Sequence, residues 1–158
     1  MKQVILFDWG NTLMVDFAQY SGKMYLWPEV KAVEQAQATL QALSKEHDLY
    51  VATSARDSCE SEVRAAFQRA ELDQHIKGYF CKANLGIDKD CPEFYQAILE
   101  SLNLEASQVT MVGDTLEKDI YPAREAGLRT IYFNRHNHPL DENMVTIHNL
   151  SQLLEKKW

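Results

Sequence analysis

The feature that most narrows what this chain can fold into is an alternation of two hydrophobic periods. Short apolar runs rich in β-branched and aromatic residues recur along it: "QVILF" (3–7), "LYVAT" (49–53), "IKGYFC" (76–81), "VTMVG" (109–113) and "RTIYF" (129–133). Runs this short and continuous predict strands buried on both faces. Stretches of helical period lie between them. Residues 29–47 carry Val30, Val33, Leu40 and Leu43 on one face behind Pro28, and predict an amphipathic helix. Asp57 with Glu60 three residues on has the pattern of a capping box, and Val63, Ala66, Phe67 and Ala70 carry the helix behind it. Pro92 opens a helix with Phe94, Tyr95, Ile98, Leu99 and Leu102 inward, and another runs through Ile120, Ala123 and Ala126 to stop at Gly127. The tail, "VTIHNLSQLLEKK", predicts a short edge strand and a closing helix. Strands alternating with helices at this spacing require a parallel sheet covered on both faces. Right-handed crossovers then leave a doubly wound α/β sandwich, Rossmann-like in architecture.

A length of 158 residues fits one domain, residues 1–158, with a core of useful size. The net charge of −7 comes without a basic cluster, which argues against nucleic acid or an anionic membrane as partner. No apolar run approaches the roughly 18 residues of a membrane span. Asp8 interrupts the first apolar run too early for a signal peptide. Cys59, Cys81 and Cys91 are odd in number and lack a CxxC spacing, so a reducing, cytoplasmic setting is expected. Residues 14–28, "MVDFAQYSGKMYLWP", form the longest stretch without periodicity, a short flap or cap-like insertion.

Open α/β sheets bind ligands beyond the carboxyl ends of their strands. Here the first strand ends in Asp8, followed by Gly10 and Thr12. The second ends in Thr53 and Ser54, with Arg56 just beyond. Lys82 and Lys89 follow the third, and Gly113-Asp114 ends the fourth with Asp119 five residues on. Each alone has an ordinary reading: Asp8 or Asp114 as a cap, Asp119 as a solvated helix residue, Lys89 as a surface lysine. Their convergence on one rim is harder to explain structurally.

This set resembles the haloacid dehalogenase superfamily of phosphohydrolases over about residues 3–150. "ILFDWGNTL" is similar to its first motif, aspartate–x–aspartate–glycine–threonine, and "VATSA" to its second. "KDCPEFY" is similar to the third and "MVGDTLEKDIYPAREAGL" to the fourth, the most specific of them. The resemblance implies that Asp8 is the nucleophile, forming an aspartyl-phosphate. It implies Mg²⁺ as cofactor, held by Asp8, the Gly10 carbonyl, Asp114 and Asp119. Thr53 and Lys89 would stabilise the transferring phosphoryl group. Ser54 and Arg56 would bind substrate, with Thr12 ordering the turn.

The resemblance breaks at one position. The second aspartate of the first motif, which protonates the leaving oxygen, is Gly10 here, and the usual glycine beside it is Asn11. Phosphonate hydrolases in the superfamily also lack that aspartate, but need a lysine on a sizeable cap that residues 14–28 are too short to form. Replacement acids are sought in Asp16, Tyr20 and Tyr25, or in His136 and His138 after the fifth strand. A phosphorylated small molecule or, without a large cap, a macromolecular phosphate is the expected partner, with an oligomer neighbour as another way to close the site. Tyr20, Tyr25 and Trp27 offer either a partner surface or folded-back core. Two alternatives stand beside the phosphohydrolase: a low-activity module that binds phosphate and Mg²⁺, and a metal-free haloacid dehalogenase. A receiver-type phosphoacceptor domain would order its acidic residues along the strands differently.

Overall fold

The computed structural model describes residues 2–140 and 143–155. The elements are β1 (Gln3–Phe7), α1 (Ala36–Leu43), β2 (His47–Ala52), α2 (Glu60–Arg69), β3 (Gly78–Phe80), α3 (Lys82–Leu85), α4 (Pro92–Leu102), β4 (Val109–Gly113), α5 (Tyr121–Glu125), β5 (Arg129–Phe133) and β6 (Thr146–Ile147). The six strands form one parallel sheet in the order β3-β2-β1-β4-β5-β6. The expected doubly wound architecture is therefore the observed one.

Alternation along β1 shows why both faces must be covered. Ile5 and Phe7 enter one core with α1, α2 and the turn at Leu150–Leu154, while Val4 and Leu6 enter the other with Phe94, Tyr95 and Ile98 of α4 and Ala123 of α5. The chain winds outward from β1 in one direction and from β4 in the other. The gap between the ends of β1 and β4 is thus the switch point at which such sheets bind ligands. Asp8 N–H donates to Val112 O at 2.9 Å, extending the β1–β4 ladder up to the rim.

Three local expectations are corrected. The helix expected over 29–47 begins only at Ala36. Val33 N–H bonds Leu13 O and Val15 N–H bonds Lys31 O, each at 2.8 Å, so residues 31–33 run antiparallel against 13–15. β-Branched Val33 suits that state, and Gln35 at φ 70° breaks the path into the helix. The cap of α2 lies two residues beyond the expected Asp57–Glu60 pair: Cys59 N–H donates to Glu62 Oε1 at 3.0 Å, and Glu60 instead pairs with Arg64. The closing helix is a short 3₁₀ turn, Leu150–Leu154, and its expected extension through Lys156 and Lys157 lies outside the described residues.

The 14–28 segment folds back over α2. It includes a 3₁₀ turn at Met24–Leu26. Arg69 donates to the carbonyls of Tyr25 (3.1 Å) and Trp27 (2.7 Å), and Lys23 pairs with Glu62 at 2.6 Å. Met24 and Trp27 are buried, and Tyr20 and Tyr25 pack against the same core. Of the two readings of these aromatics, folded-back core is the observed one.

Candidate active site

Asp8, Thr53 and Asp114 are each the first residue after a strand, where the chain leaves the sheet. Asp119 is returned to them by the turn at Leu116–Ile120. That turn is a wide one in which Tyr121 N–H reaches back to Leu116 O, a geometry frequent at functional sites. Thr115 N–H donates to Asp119 Oδ2 at 3.0 Å, and Tyr95 of α4 braces the turn by donating to Lys118 O at 2.7 Å. Asp119 fits only because residue 113 is glycine. A Cβ built at Gly113 would overlap the Asp119 carboxylate. This close approach was not anticipated from the sequence, where Gly113 reads simply as the end of a strand.

One buried lysine ties the carboxylates together. Lys89 Nζ lies 2.8 Å from Asp8 Oδ1 and 2.6 Å from Asp119 Oδ1, and donates to Ala52 O at 2.7 Å. It is not the surface lysine that its sequence context allows. Thr12, also buried, donates to Asp8 Oδ2 at 3.0 Å and approaches Asp114 Oδ1 at 3.4 Å. Asp8, Asp114 and Asp119 each offer an oxygen within 4.8 Å of the others.

The charge balance follows from this geometry. Burial alone would raise the Asp8 carboxyl, but the Lys89 charge and hydrogen bonds from Asp114, Lys89 and Thr12 outweigh it and hold the group below its ordinary range. Burial, then the hydrogen bond and charge of Asp8, push Asp114 up to about 8. Burial and the Asp8 charge push Asp119 up to about 6 against the opposing effect of Lys89. Burial works against the charge on Lys89, but Asp119 and Asp8 outweigh it and hold the group protonated. Two carboxylates thus share one ammonium with Asp114 close by, and burial together with the charge of Asp8 favours the protonated form of Asp114. A divalent cation would serve in that proton's place, and an all-oxygen donor set suits a hard ion such as Mg²⁺. The residues present fit the ion.

A cleft of about 350 Å³ opens over this group. Asp8, Gly10, Thr53, Ser54, Asp114 and Asp119 line it, and so do residues not singled out from the sequence, among them Trp9, Ser58 and Lys118. Asp16, Met24 and Trp27 of the 14–28 segment form part of its wall. Five residues considered from the sequence stand elsewhere. Thr12 lies beneath Asp8 rather than on the lining. Arg56 pairs with Asp88 at 3.1 Å and lines a neighbouring cavity together with Lys89. His136 and His138 border a third cavity, which shares Asn11 and Asp114 with the site. Lys82 starts α3 and pairs with Asp88 at 3.3 Å.

Residues 6–133 match the sequence profile of the haloacid dehalogenase-like hydrolases. The ribulose-1,5-bisphosphate 5-phosphatase of Halopiger xanaduensis is 29% identical over 138 residues, which are 87% of this chain and 54% of that protein. The glyceraldehyde 3-phosphate phosphatase of Pyrococcus furiosus is 29% identical over 104 residues, 66% of this chain and 42% of that one. The chain spans about half or less of the length of these curated relatives. In fold, it superposes on the crystal structure of an uncharacterized protein from Listeria monocytogenes serotype 4b with a TM-score of 0.84. The identity there is 19%, over 97% of this chain and 95% of the other.

Proposed function

The chain belongs to the haloacid dehalogenase-like hydrolases, and from that premise we propose that it is a Mg²⁺-dependent phosphohydrolase acting through an aspartyl-phosphate on Asp8. The observation that carries this reading is the buried Lys89 ammonium shared by Asp8 and Asp119, with Asp114 close by. Such a site is poised to receive a cation and then an anion. The two relatives described above are named as phosphatases of small phosphorylated compounds, which supports the same reaction class.

Each side chain then has a task. Asp8, kept ionised by Lys89 and Thr12, attacks phosphorus with one of its two carboxylate oxygens, each of which also accepts a hydrogen bond. Lys89, fixed by Ala52 O, offsets charge on the nucleophile and the transferring group without having to reorganise. Thr53 and Ser54 line the cleft where phosphate oxygens would lie. Asp8, the Gly10 carbonyl and Asp114 would hold Mg²⁺, with Asp119 behind them fixing Lys89 and completing the acidic group. The ion, when bound, would neutralise the carboxylates and the incoming phosphate together.

A cleft of about 350 Å³ matches a small phosphate ester and sits at the low end of small-molecule sites. A phosphorylated small molecule is therefore our preferred substrate class over a macromolecular phosphate. Cys59, Cys81 and Cys91 are all free thiols, in keeping with a cytoplasmic setting. Among the described residues no helix is long and apolar enough to cross a membrane.

The test is hydrolysis of p-nitrophenyl phosphate with and without Mg²⁺, with Asp8→Asn as the blank. The reading expects turnover that needs the ion and vanishes in the variant. Turnover that survives EDTA, or that Asp8→Asn retains, contradicts it.

A further inference from the structure

We propose that Asp16 is the general acid and base of this site, supplying from the 14–28 segment the proton transfers that a glycine at position 10 cannot make. The inference rests on the phosphohydrolase reading above and adds to it a residue outside the four motifs.

Breaking an alkyl phosphate ester leaves an alkoxide that needs a proton, and a positioned acid contributes typically about 10²–10⁴-fold to that step. Gly10 carries nothing that can donate one. Its α-carbon, however, faces Asp16. A Cβ built on Gly10 would stand 3.4 Å from Asp16 Cβ, 3.5 Å from its Oδ2 and 3.7 Å from its Cγ. The carboxylate of residue 16 therefore lies alongside the space where a side chain at residue 10 would begin. Asp16 lines the same cleft as Asp8. Its carboxylate makes no hydrogen bond or ion pair to any described residue, so no protein partner has to be displaced when it meets a ligand.

The position is built into the turn. Asn11, at φ 60°, adopts the left-handed conformation that asparagine tolerates better than most residues. Its Oδ1 accepts the Asp16 N–H at 3.0 Å, while Asn11 N–H donates to Met14 O at 2.7 Å. The two departures from the familiar first motif are thus structurally linked. Glycine at 10 leaves room, and asparagine at 11 holds Asp16 beside it. The other candidates do not share this placement: Tyr20 Oη donates to Glu29 at 3.0 Å, and His136 and His138 border a different cavity. Asp57 also lines the cleft, but its Oδ1 accepts from Ser58 Oγ at 3.3 Å.

In the first step an Asp8 oxygen bonds to phosphorus, the ester P–O bond breaks, and the Asp16 carboxyl proton passes to the leaving oxygen. In the second step water bonds to phosphorus and gives its proton to the Asp16 carboxylate. The bond from phosphorus to Asp8 then breaks, releasing phosphate and restoring both aspartates.

The experiment compares wild type with Asp16→Asn on p-nitrophenyl phosphate and on a simple alkyl phosphate, in rapid quench with Mg²⁺ present. The mass of the acid-quenched protein reports phosphoenzyme. An aryl leaving group needs no proton, so the variant should release a full first equivalent of nitrophenol at the wild-type rate and then stall as phosphoenzyme. On the alkyl ester its first turnover should fall by about 10²–10⁴-fold, with no phosphoenzyme accumulating. Equal losses on both esters, or no loss on either, overturn the inference, as does the same split appearing in Asp57→Asn instead. Wild-type protein that turns over neither ester removes the phosphohydrolase reading itself, and this inference falls with it.

Discussion

Lys89 Nζ lies 2.8 Å from Asp8 Oδ1, although the two residues are 81 positions apart and both are withdrawn from solvent. Burial disfavours the ammonium and the carboxylates offset that cost, while the carboxylates without it would lose their buried counter-charge. Breaking such a pair by removing one partner costs about 3–5 kcal/mol. Lys89→Met is expected to lower the urea midpoint accordingly and to reduce turnover about 10²–10³-fold, the cost typical of losing one preorganised charge-stabilising group. A Lys89→Met protein as stable and active as wild type would show that the ion pair is ornamental.

Two glycines at the site should differ in their response to one added methyl group. At Gly113 a Cβ would overlap the Asp119 carboxylate, so Gly113→Ala must displace Asp119 from Lys89. Overpacking of this kind costs typically about 1–3 kcal/mol, and activity should fall with stability. At Gly10 the nearest atom to a new Cβ is 3.4 Å away, an ordinary contact. Gly10→Ala should therefore leave the urea midpoint nearly unchanged. Equal sensitivity at the two positions would contradict the packing described.

The protonation of the site gives a prediction for the metal-free protein. Asp114 is pushed up to about 8 and Asp119 to about 6 from an ordinary 3.8. The folded state therefore binds these protons more tightly than the unfolded one. That contribution to stability is complete below pH 3.8 and is lost as pH rises through about 6 and then 8. Asp8 is shifted the other way, and its contribution is lost only on acidification below 3.8. EDTA-treated protein should thus lose melting temperature across the neutral range. Mg²⁺ should remove that loss and release protons on binding, measurable as acidification in weak buffer. A metal-free melting temperature that climbs from pH 6 to 8 would contradict the assignment.

Arg69 fixes one wall of the cleft from a distance by donating to the carbonyls of Tyr25 and Trp27. Hydrogen bonds from charged groups are worth about 1.5–3 kcal/mol each. Arg69→Ala should free the 14–28 segment while the sheet stays folded. Faster tryptic cleavage after Lys23 with unchanged far-UV circular dichroism would be the sign. A cleavage rate equal to wild type would place the anchor elsewhere, for instance in the Lys23–Glu62 pair.

The sheet was legible because its signal is local and repeated. β4 and β5 occupy the very residues of the "VTMVG" and "RTIYF" runs, and Pro92 starts α4 as its fixed φ favours. The strand-end residues were legible for the same reason: Asp8, Thr53 and Asp114 need only the register of their own strands. What depends on long-range pairing was not. Val30 and Val33 have helical spacing, yet residues 31–33 pair with the 13–15 stretch, and that contact overrides the local pattern. Nothing near Lys89 in the sequence announces the Ala52 carbonyl that fixes it. Asp16 was one candidate acid among several until the turn at Asn11 brought it against Gly10.

The central claim is that Asp8 becomes phosphorylated, and chemical trapping tests it most directly. Protein quenched in acid during turnover of p-nitrophenyl phosphate with Mg²⁺, then reduced with borohydride, converts an aspartyl-phosphate to homoserine. The account predicts homoserine at position 8 in the N-terminal peptide, absent when substrate or Mg²⁺ is withheld. Turnover that proceeds with Asp8 unmodified, or with the label on another residue, would contradict it.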